Sequence, residues 1–416
     1  MQTKAVERVD SGPENELSRQ ERSHTMTTEA SSLDTEKTLI GDVRFLQEHG
    51  LHPVVLQNES GARVVVSPEY QGRVMTSSMD GDDGFSCGWI NYKLIRSGKQ
   101  TPHINAYGGE DRFWLGPEGG QFSIYFPKGA EFTFENWQVP AVFDTQPWKI
   151  SARDGDREVL FEAEFAPTDW SGNQKNIRLE RRVRLLSEKE LSEALGTDLE
   201  SSSLKAVGYT TSNKMTNAGP EPWTRKTGAM SIWMLGMFKP SPETVIVVPF
   251  KRDAEGPVVK DDYFGKIPAD RLKIDGEKGV LYFCADGDDR GKIGLSKQRA
   301  CEFLGSYDAA HNILTIVKYT PGKPDSEYAN AAWEIQQEPF CGDVVNAYND
   351  GIPGPGLEKM GPFYELESSS PAAFLKPGES ILHDHSTFHF SGTEADLDRI
   401  ARKALGVSIQ DICARR

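Results

Sequence analysis

Residues 54–76 have the sequence VVLQNESGARVVVSPEYQGRVMT, and this stretch decides the fold class. Three short runs of mainly β-branched and apolar residues, at 54–56, 62–66 and 73–76, are separated by segments that contain Asn, Ser, Pro and Gly. β-branched residues favour strands, and turn residues of these types end them. The pattern therefore predicts a meander of short strands.

The same alternation of short apolar runs and turn segments continues through most of the chain. Helical patterns are rarer: a run at 38–48, a helix opened by a capping box of Ser187 and Glu190, and a helix over 394–405. Because strands outnumber helices and no strand–helix–strand alternation appears, we predict an all-β fold, a large antiparallel β-sandwich with a few peripheral helices. Further strands are predicted at 122–126, 131–134, 148–151, 159–165, 177–186, 204–212, 231–238, 245–250, 280–284 and 313–319.

The domain organisation follows from composition. Residues 1–37 contain no aromatic residue and are rich in Glu, Ser, Thr and Arg, a composition that cannot bury enough apolar surface to offset chain entropy. We predict a disordered tail there. No internal repeat or linker-like change in composition interrupts the remainder, so residues 38–416 are predicted to form a single β-sandwich domain with a C-terminal helix at 394–405.

Charge and cysteine usage limit the partners. The formal net charge is −15 for 416 residues, so nucleic acids and anionic membrane surfaces are not expected as partners, because like charges repel. A neutral or weakly polar small molecule fits better. The five cysteines include no CxxC pair, and no long apolar run or secretory signal is visible, so we predict a cytoplasmic protein.

Residues 108–128, GGEDRFWLGPEGGQFSIYFPK, interleave charged, aromatic and glycine residues more closely than any other part of the chain. Arg112 can clamp hydroxyl or carboxylate groups, and Trp114 can stack on a sugar ring. Glu110 and Glu118 can accept hydrogen bonds from hydroxyls. These four residues are candidates for binding a polyhydroxylated ligand. The alternative is a hairpin in which Arg112 pairs with a glutamate and Trp114 fills the core.

A second candidate site lies in residues 361–368, GPFYELES. In a strand, side chains two residues apart share a face, so Glu365 and Glu367 are expected side by side. Neighbouring carboxylates raise each other's pKa, and a carboxyl group with a raised pKa can serve as an acid or a base near neutral pH. A solvated strand face is the alternative interpretation.

Residues 381–390, ILHDHSTFHF, hold three of the eight histidines of the chain. In a strand, His383 and His385 share a face, where they could bind a divalent metal ion, shuttle protons or form hydrogen bonds with sugar hydroxyls. A divalent metal at these two residues is the one cofactor that the sequence leaves open, and no other is expected. Structural histidines within a sheet are the alternative.

Several segments together resemble the galactose mutarotase-like (aldose 1-epimerase) superfamily over most of residues 53–392. They are SPEYQGRVMTSS and GWINYKLI near the start, GGEDRFWLGPEGG, TSNKMTNAGPEPW, and ELESSSPAAFLKPGES. The resemblance implies a twisted β-supersandwich with a pocket for a small-molecule carbohydrate on one open face. It also implies that Glu367, which follows Leu366, is the catalytic base. Asn91, in GWINYKLI, joins the substrate-binding candidates.

One motif of that superfamily is absent. Its general-acid histidine follows the TNAG-like turn, where this chain has TGAMSIWMLGMF and no histidine. Ring opening of a sugar needs an acid as well as a base, so His383 or His385 is the candidate acid, with Glu365 tuning Glu367. Three functions stay open: an enzyme of aldose 1-epimerase type, a non-catalytic carbohydrate-binding protein, and a cupin-like metal-dependent enzyme.

Overall fold

The structure, a computed structural model, describes residues 38–354 and 356–415. The tail predicted at residues 1–37 lies outside the described residues. Strands account for most of the regular structure in the described part of the chain. In chain order they are β1 (Val54–Gln57), β2 (Arg63–Ser67), β3 (Arg73–Ser78), β4 (Arg112–Gly116), β5 (Lys149–Asp154), β6 (Glu158–Phe165), β7 (Ile177–Leu185), β8 (Lys205–Asn217), β9 (Ser231–Phe238), β10 (Thr244–Pro249), β11 (Leu272–Asp275), β12 (Val280–Cys284), β13 (Gly291–Ser296), β14 (Phe303–Asp308), β15 (Ile313–Tyr319), β16 (Asp343–Asn349), β17 (Tyr364–Ser369) and β18 (Ser380–Ser391).

Short helices flank the strands. They are α1 (Leu39–Glu48), α2 (Tyr92–Ser97), α3 (Ala141–Asp144), α4 (Glu188–Leu195), α5 (Glu394–Leu405) and α6 (Ile409–Cys413). Helix α4 begins with the predicted capping box, in which Ser187 and Glu190 each bond to the other's backbone N–H. Thr393 caps α5 through the backbone N–H of Asp396. Within residues 38–354 and 356–415, no helix has both the length and the apolar character needed to cross a bilayer.

The strands form three sheets, and neighbouring strands pair antiparallel throughout them. The largest sheet has ten strands in the order β11-β12-β10-β14-β15-β18-β8-β7-β6-β5. The second has five strands in the order β13-β16-β17-β9-β4, and β1, β2 and β3 form the third. The predicted all-β fold, a large antiparallel sandwich with a few peripheral helices, is confirmed.

The main core lies between the five-stranded and the ten-stranded sheets. Phe113 of β4 and Met234 of β9 pack there in one buried cluster with Tyr209 of β8. Helices cover the opposite face of the ten-stranded sheet, where Leu191 of α4 packs in a cluster with Phe388 of β18. The other face of the five-stranded sheet points away from the ten-stranded sheet and is called the outer face below; its side chains Trp114, Trp233 and Leu235 are buried in the same cluster.

Two of the predicted strands, at 122–126 and 131–134, are wrong. The first segment consists of turns, and the second leads into a 3₁₀ helix at Phe134–Asn136. Aromatic side chains from this region pack against another loop instead, with the rings of Phe126 and Trp333 centred 5.1 Å apart. Apolar content alone therefore does not identify a strand, because side-chain packing between loops buries the same residues. The prediction also omitted β4, β11, β13, β14 and β16.

Candidate active site

Strand β17 places the two candidate carboxylates on the outer face. Successive side chains of a strand alternate between faces, so Glu365 and Glu367 point outward while Leu366 and Ser368 point toward the core. Residues paired directly across neighbouring strands share a face. The pairing registers therefore bring together on the outer face Lys292, Asn346, Tyr348, Glu365, Glu367, Trp233, Leu235, Met237, Arg112 and Trp114.

Glu367 is fully buried, and its two carboxylate oxygens have different surroundings. Oε2 accepts hydrogen bonds from Lys292 Nζ at 3.0 Å and from Trp233 Nε1 at 2.8 Å. Oε1 has no hydrogen-bond partner among the described residues. One oxygen thus fixes the orientation of the carboxylate, and the other is available to a hydroxyl group.

Glu365 forms a buried ion pair with Arg112. Burial raises the pKa of Glu365 to about 7; Arg112 opposes this rise, and the negative charge of Glu367 adds to it. The negative charge of Glu367 therefore disfavours ionisation of Glu365, as expected for like charges on one strand face. With this pKa, the Glu365 carboxyl group is about half protonated near neutral pH.

Lys292 and Glu118 add two further charges at the same place. Burial lowers the pKa of Lys292, but the carboxylates of Glu367, Glu118 and Glu365 raise it by more, so the pKa lies above its ordinary value. Burial raises the pKa of Glu118, an effect that Lys292 opposes and Glu367 reinforces. Glu118 lies in the loop after β4, where it bonds to the side chain of Trp333. The charges of these groups are thus coupled to one another.

Two tryptophans lie beside the charged groups. The rings of Trp114 and Trp233 meet edge to face with their centroids 5.7 Å apart. The guanidinium carbon of Arg112 lies 5.3 Å from the Trp114 ring centroid, and Lys292 Nζ lies 4.9 Å from that of Trp233. Arg112 Nε and Trp114 Nε1 have no hydrogen-bond partner within the described part of the chain. The outer face therefore combines flat apolar surface, free donors and carboxylates.

The loop between β10 and β11 covers part of the outer face. Tyr263 of this loop donates a hydrogen bond to Asp343 and accepts one from Asn346 Nδ2 at 3.2 Å, so the loop is tied to β16. The neighbouring Phe264 is half exposed, and its ring centroid lies 3.6 Å from the guanidinium carbon of Arg290. Tyr263 thus anchors the loop, while Phe264 forms part of its exposed rim.

The two candidate histidines lie on the other side of the five-stranded sheet. His383 Nε2 and His385 Nδ1 each lie 2.8 Å from the hydroxyl oxygen of Ser368, in the core between the two large sheets. Burial lowers the pKa of His383 to about 3, with a contribution from His385, whose own pKa is also lowered by burial. Both imidazoles are therefore neutral near pH 7. The described residues include no group of three His, Cys, Asp or Glu side chains placed to hold a metal ion.

The remaining two candidates are also placed away from Glu365 and Glu367. Glu110 accepts a hydrogen bond at 3.1 Å from His389 Nε2 of the ten-stranded sheet, which directs it toward the core. Asn91 caps helix α2, where its side chain accepts a hydrogen bond from the Leu94 backbone N–H and donates one to the Ala106 carbonyl, both at 3.0 Å. The structure thus brings Arg112, Trp114, Glu118, Glu365 and Glu367 together, and it does not bring Glu110, Asn91, His383 or His385 to them.

A comparison with protein families decides where the chain belongs. A family of unknown function, DUF6786, matches residues 37–415. The chain belongs to the DUF6786 family. Among curated proteins, no sequence matches this DUF6786 protein.

Three solved structures similar to this DUF6786 protein each cover most of both chains. The Slr1438 protein from Synechocystis sp. PCC 6803 shares 11% identity over 82% of this chain and 96% of its own, with a TM-score of 0.48. A galactose mutarotase-like protein from Lactobacillus casei ATCC 334 shares 12% identity over 81% and 100%, with a TM-score of 0.46. A galactose mutarotase related enzyme from Lactobacillus acidophilus shares 10% identity over 82% and 99%, with a TM-score of 0.45. Identities and scores this low carry no activity or residue role over to the DUF6786 protein.

Lys292 and Trp233 are the two residues of this DUF6786 site that the sequence did not indicate. Lys292 lies in GKIGLS, a short strand that contains two glycines, a residue type depleted in strands. Trp233 lies in SIWMLGMF, which is apolar on both faces and so shows no alternation that would separate an outer face from a core face. Strand β13 meets β17 only through β16, so their shared site depends on pairing between segments far apart in sequence.

Proposed function

We propose that this protein performs acid/base chemistry on a carbohydrate bound against the outer face. The observation that carries the proposal is a set of buried polar atoms without partners among the described residues: Glu367 Oε1, Arg112 Nε and Trp114 Nε1. Buried polar atoms are seldom left unpaired, because each unpaired atom costs free energy. One acceptor and two donors on a single face favour a ligand that supplies both kinds of group.

A carbohydrate matches this set chemically. Each sugar hydroxyl donates one hydrogen bond and accepts others, so neighbouring hydroxyls can pair with Glu367 as acceptor and with Arg112 and Trp114 as donors. The C–H face of a pyranose ring is apolar and packs against indole rings such as those of Trp114 and Trp233. The resemblance of the sequence to the aldose 1-epimerases supports the same substrate class.

In this proposal Glu367 is the base. Its Oε1 removes the proton of a sugar hydroxyl, while Lys292 and Trp233 keep Oε2 in place. Arg112 binds a neighbouring hydroxyl through its free Nε, and the charge of Glu365 tunes the proton affinity of Glu367. For an aldose, loss of the proton of the anomeric hydroxyl, together with protonation of the ring oxygen, opens the ring, and closure onto the other face of the carbonyl group gives the second anomer.

The test has two stages. A thermal-shift screen with D-glucose, D-galactose, D-xylose and L-arabinose identifies sugars that bind the native state, because such binding raises Tm by mass action. NMR exchange spectroscopy then follows anomer interconversion of a binding sugar with wild type, Glu367→Gln and Glu200→Gln, the last being a change at an exposed glutamate. We expect Glu367→Gln to lower the rate by about 10²–10⁴-fold and to keep the thermal shift, and we expect Glu200→Gln to match wild type.

The contrary outcomes separate the alternatives. An undiminished rate with Glu367→Gln would remove the base assignment. A sugar that binds wild type without any faster interconversion would select the non-catalytic carbohydrate-binding function, which the histidine-free TGAMSIWMLGMF segment favours. No thermal shift with any sugar would remove carbohydrate as the ligand class.

A further inference from the structure

The proposed ring opening needs an acid next to the base. The anomeric hydroxyl oxygen and the ring oxygen of an aldose are bonded to the same carbon, so the group that protonates one lies close to the group that deprotonates the other. His383 and His385 are bonded to Ser368 on the core side of the sheet. The acid that works with Glu367 therefore has to come from the outer face.

Lys292 is the ionisable donor that bonds directly to Glu367 there. Its Nζ lies 3.0 Å from Glu367 Oε2, and its side chain is 14% exposed. An ammonium group carries three N–H donors, so the bond to Glu367 leaves two of them for other acceptors. Glu365 is less suitable, because its carboxyl group is held by the guanidinium of Arg112.

The charges around Lys292 explain how a strongly basic amine can release a proton. The groups that face it are the carboxylates of Glu367, Glu118, Glu365 and Asp343, with the ring of Tyr263 centred 5.9 Å from Nζ. Burial favours the neutral amine, and Glu367 is the strongest of the influences that favour the ammonium ion. When Glu367 takes up a proton, its negative charge disappears, and burial then favours proton release by Lys292.

We propose that Lys292 is the general acid of this site and that it acts in concert with Glu367, an inference that rests on the proposed function. Glu367 Oε1 takes the proton of the anomeric hydroxyl, whose oxygen becomes the carbonyl oxygen of the open chain. The bond between the anomeric carbon and the ring oxygen breaks, and Lys292 Nζ protonates that oxygen. Closure reverses each transfer after rotation of the carbonyl group, so both residues return to their starting state and no co-reactant is consumed.

The experiment compares Lys292→Arg and Lys292→Met with wild type and with the control Lys260→Arg. Arginine keeps the positive charge and the pairing with Glu367 but does not release its proton in the working pH range, whereas methionine keeps most of the apolar stem without the charge. Lys260 is exposed, with its Nζ 4.4 Å from the centroid of the Tyr263 ring, so the control makes the same change at a lysine of the covering loop. The probes are D-galactose and D-glucose, with anomer exchange measured by NMR and binding measured by thermal shift.

We expect Lys292→Arg to bind the sugar and to lose about 10²–10⁴-fold in exchange rate, while Lys260→Arg keeps the wild-type rate. The wild-type rate should also fall at alkaline pH as Lys292 loses its proton, and the residual rate of Lys292→Met should lack this fall. Exchange by Lys292→Arg at the wild-type rate would overturn the acid role and leave the proposed function standing. Absence of exchange in the wild type with either sugar would overturn the proposed function and the acid role together.

Discussion

Replacing Glu365 by glutamine should change how the stability of the protein depends on pH. The pKa of this buried carboxyl group is about 7 in the folded protein, against an ordinary value of 4.5. A raised pKa means that the native state still holds a proton that the unfolded state has lost. The stabilising contribution is therefore complete below pH 4.5 and is lost as the pH rises to 7. At about 1.4 kcal/mol for each pH unit, the loss amounts to about 3 kcal/mol of unfolding free energy.

The assay is denaturant unfolding of wild type and Glu365→Gln between pH 4.5 and pH 7.5, followed by tryptophan fluorescence. Ionisable groups common to both proteins largely cancel in the difference between their unfolding free energies. We expect that difference, wild type minus variant, to fall by about 3 kcal/mol across this range because glutamine does not titrate. The control Glu200→Gln removes an exposed carboxylate, and its difference from wild type should change little over the same range.

Two results would refute the reasoning. A difference that stays constant with pH would mean that Glu365 titrates alike in the folded and unfolded states. A difference that grows with pH would mean that attraction to Arg112 outweighs burial, so that the folded pKa lies below the unfolded value. Either result would contradict the raised pKa of Glu365.

Further variants test other parts of the structure. Trp114→Phe removes the unpartnered Nε1 and also part of a ring that is only 5% exposed, so it should lower Tm and weaken sugar binding about fivefold in calorimetric titration; unchanged affinity would show that Nε1 makes no contact. Arg112→Ala should abolish binding in the same titration while circular dichroism shows a folded chain. Arg181→Met leaves the buried Asp111 without its charged partner and should lower the unfolding free energy by about 3–5 kcal/mol, and a loss below 1 kcal/mol would count against a structural role. Removal of residues 1–37 should leave Tm unchanged in scanning calorimetry, because their composition offers little apolar surface.

The fold class could be predicted because many segments carry the same local signal. The β-branched runs at 54–56 and 62–66 form strands β1 and β2, paired antiparallel. The strand prediction failed where the composition of a segment does not reflect whether that segment pairs with another strand. Residues 122–126 are as apolar as a strand but pack by aromatic contacts between loops, whereas β13 contains two glycines and is held by its pairing with β16.

Part of the candidate site could also be predicted, because side-chain alternation within one strand is a local property. It correctly indicated that Glu365 and Glu367 share a face. Alternation could not indicate which face of β17 is turned toward β18 of the ten-stranded sheet. That depends on how the five-stranded and ten-stranded sheets pack against each other. Alternation also predicts that His383 and His385 share a face of their strand. It gives no information on whether these two histidines contact Glu365 and Glu367. In the structure both histidines form hydrogen bonds with the hydroxyl of Ser368, the residue that follows Glu367 in sequence.

Unpartnered buried atoms also occur on the core side, at Glu110 Oε1, His383 Nδ1 and His385 Nε2, so unpaired atoms alone do not assign a ligand to the outer face. Burial lowers the pKa of both imidazoles, so their free nitrogens belong to neutral rings. A neutral polar atom left unpaired costs less than a charged one. Glu367 is held in a salt bridge with Lys292, and the outer face is covered by loops rather than by a second sheet. The outer face is distinguished by an unpaired acceptor and two unpaired donors that lie beside a pair of indole rings, the combination that a sugar matches.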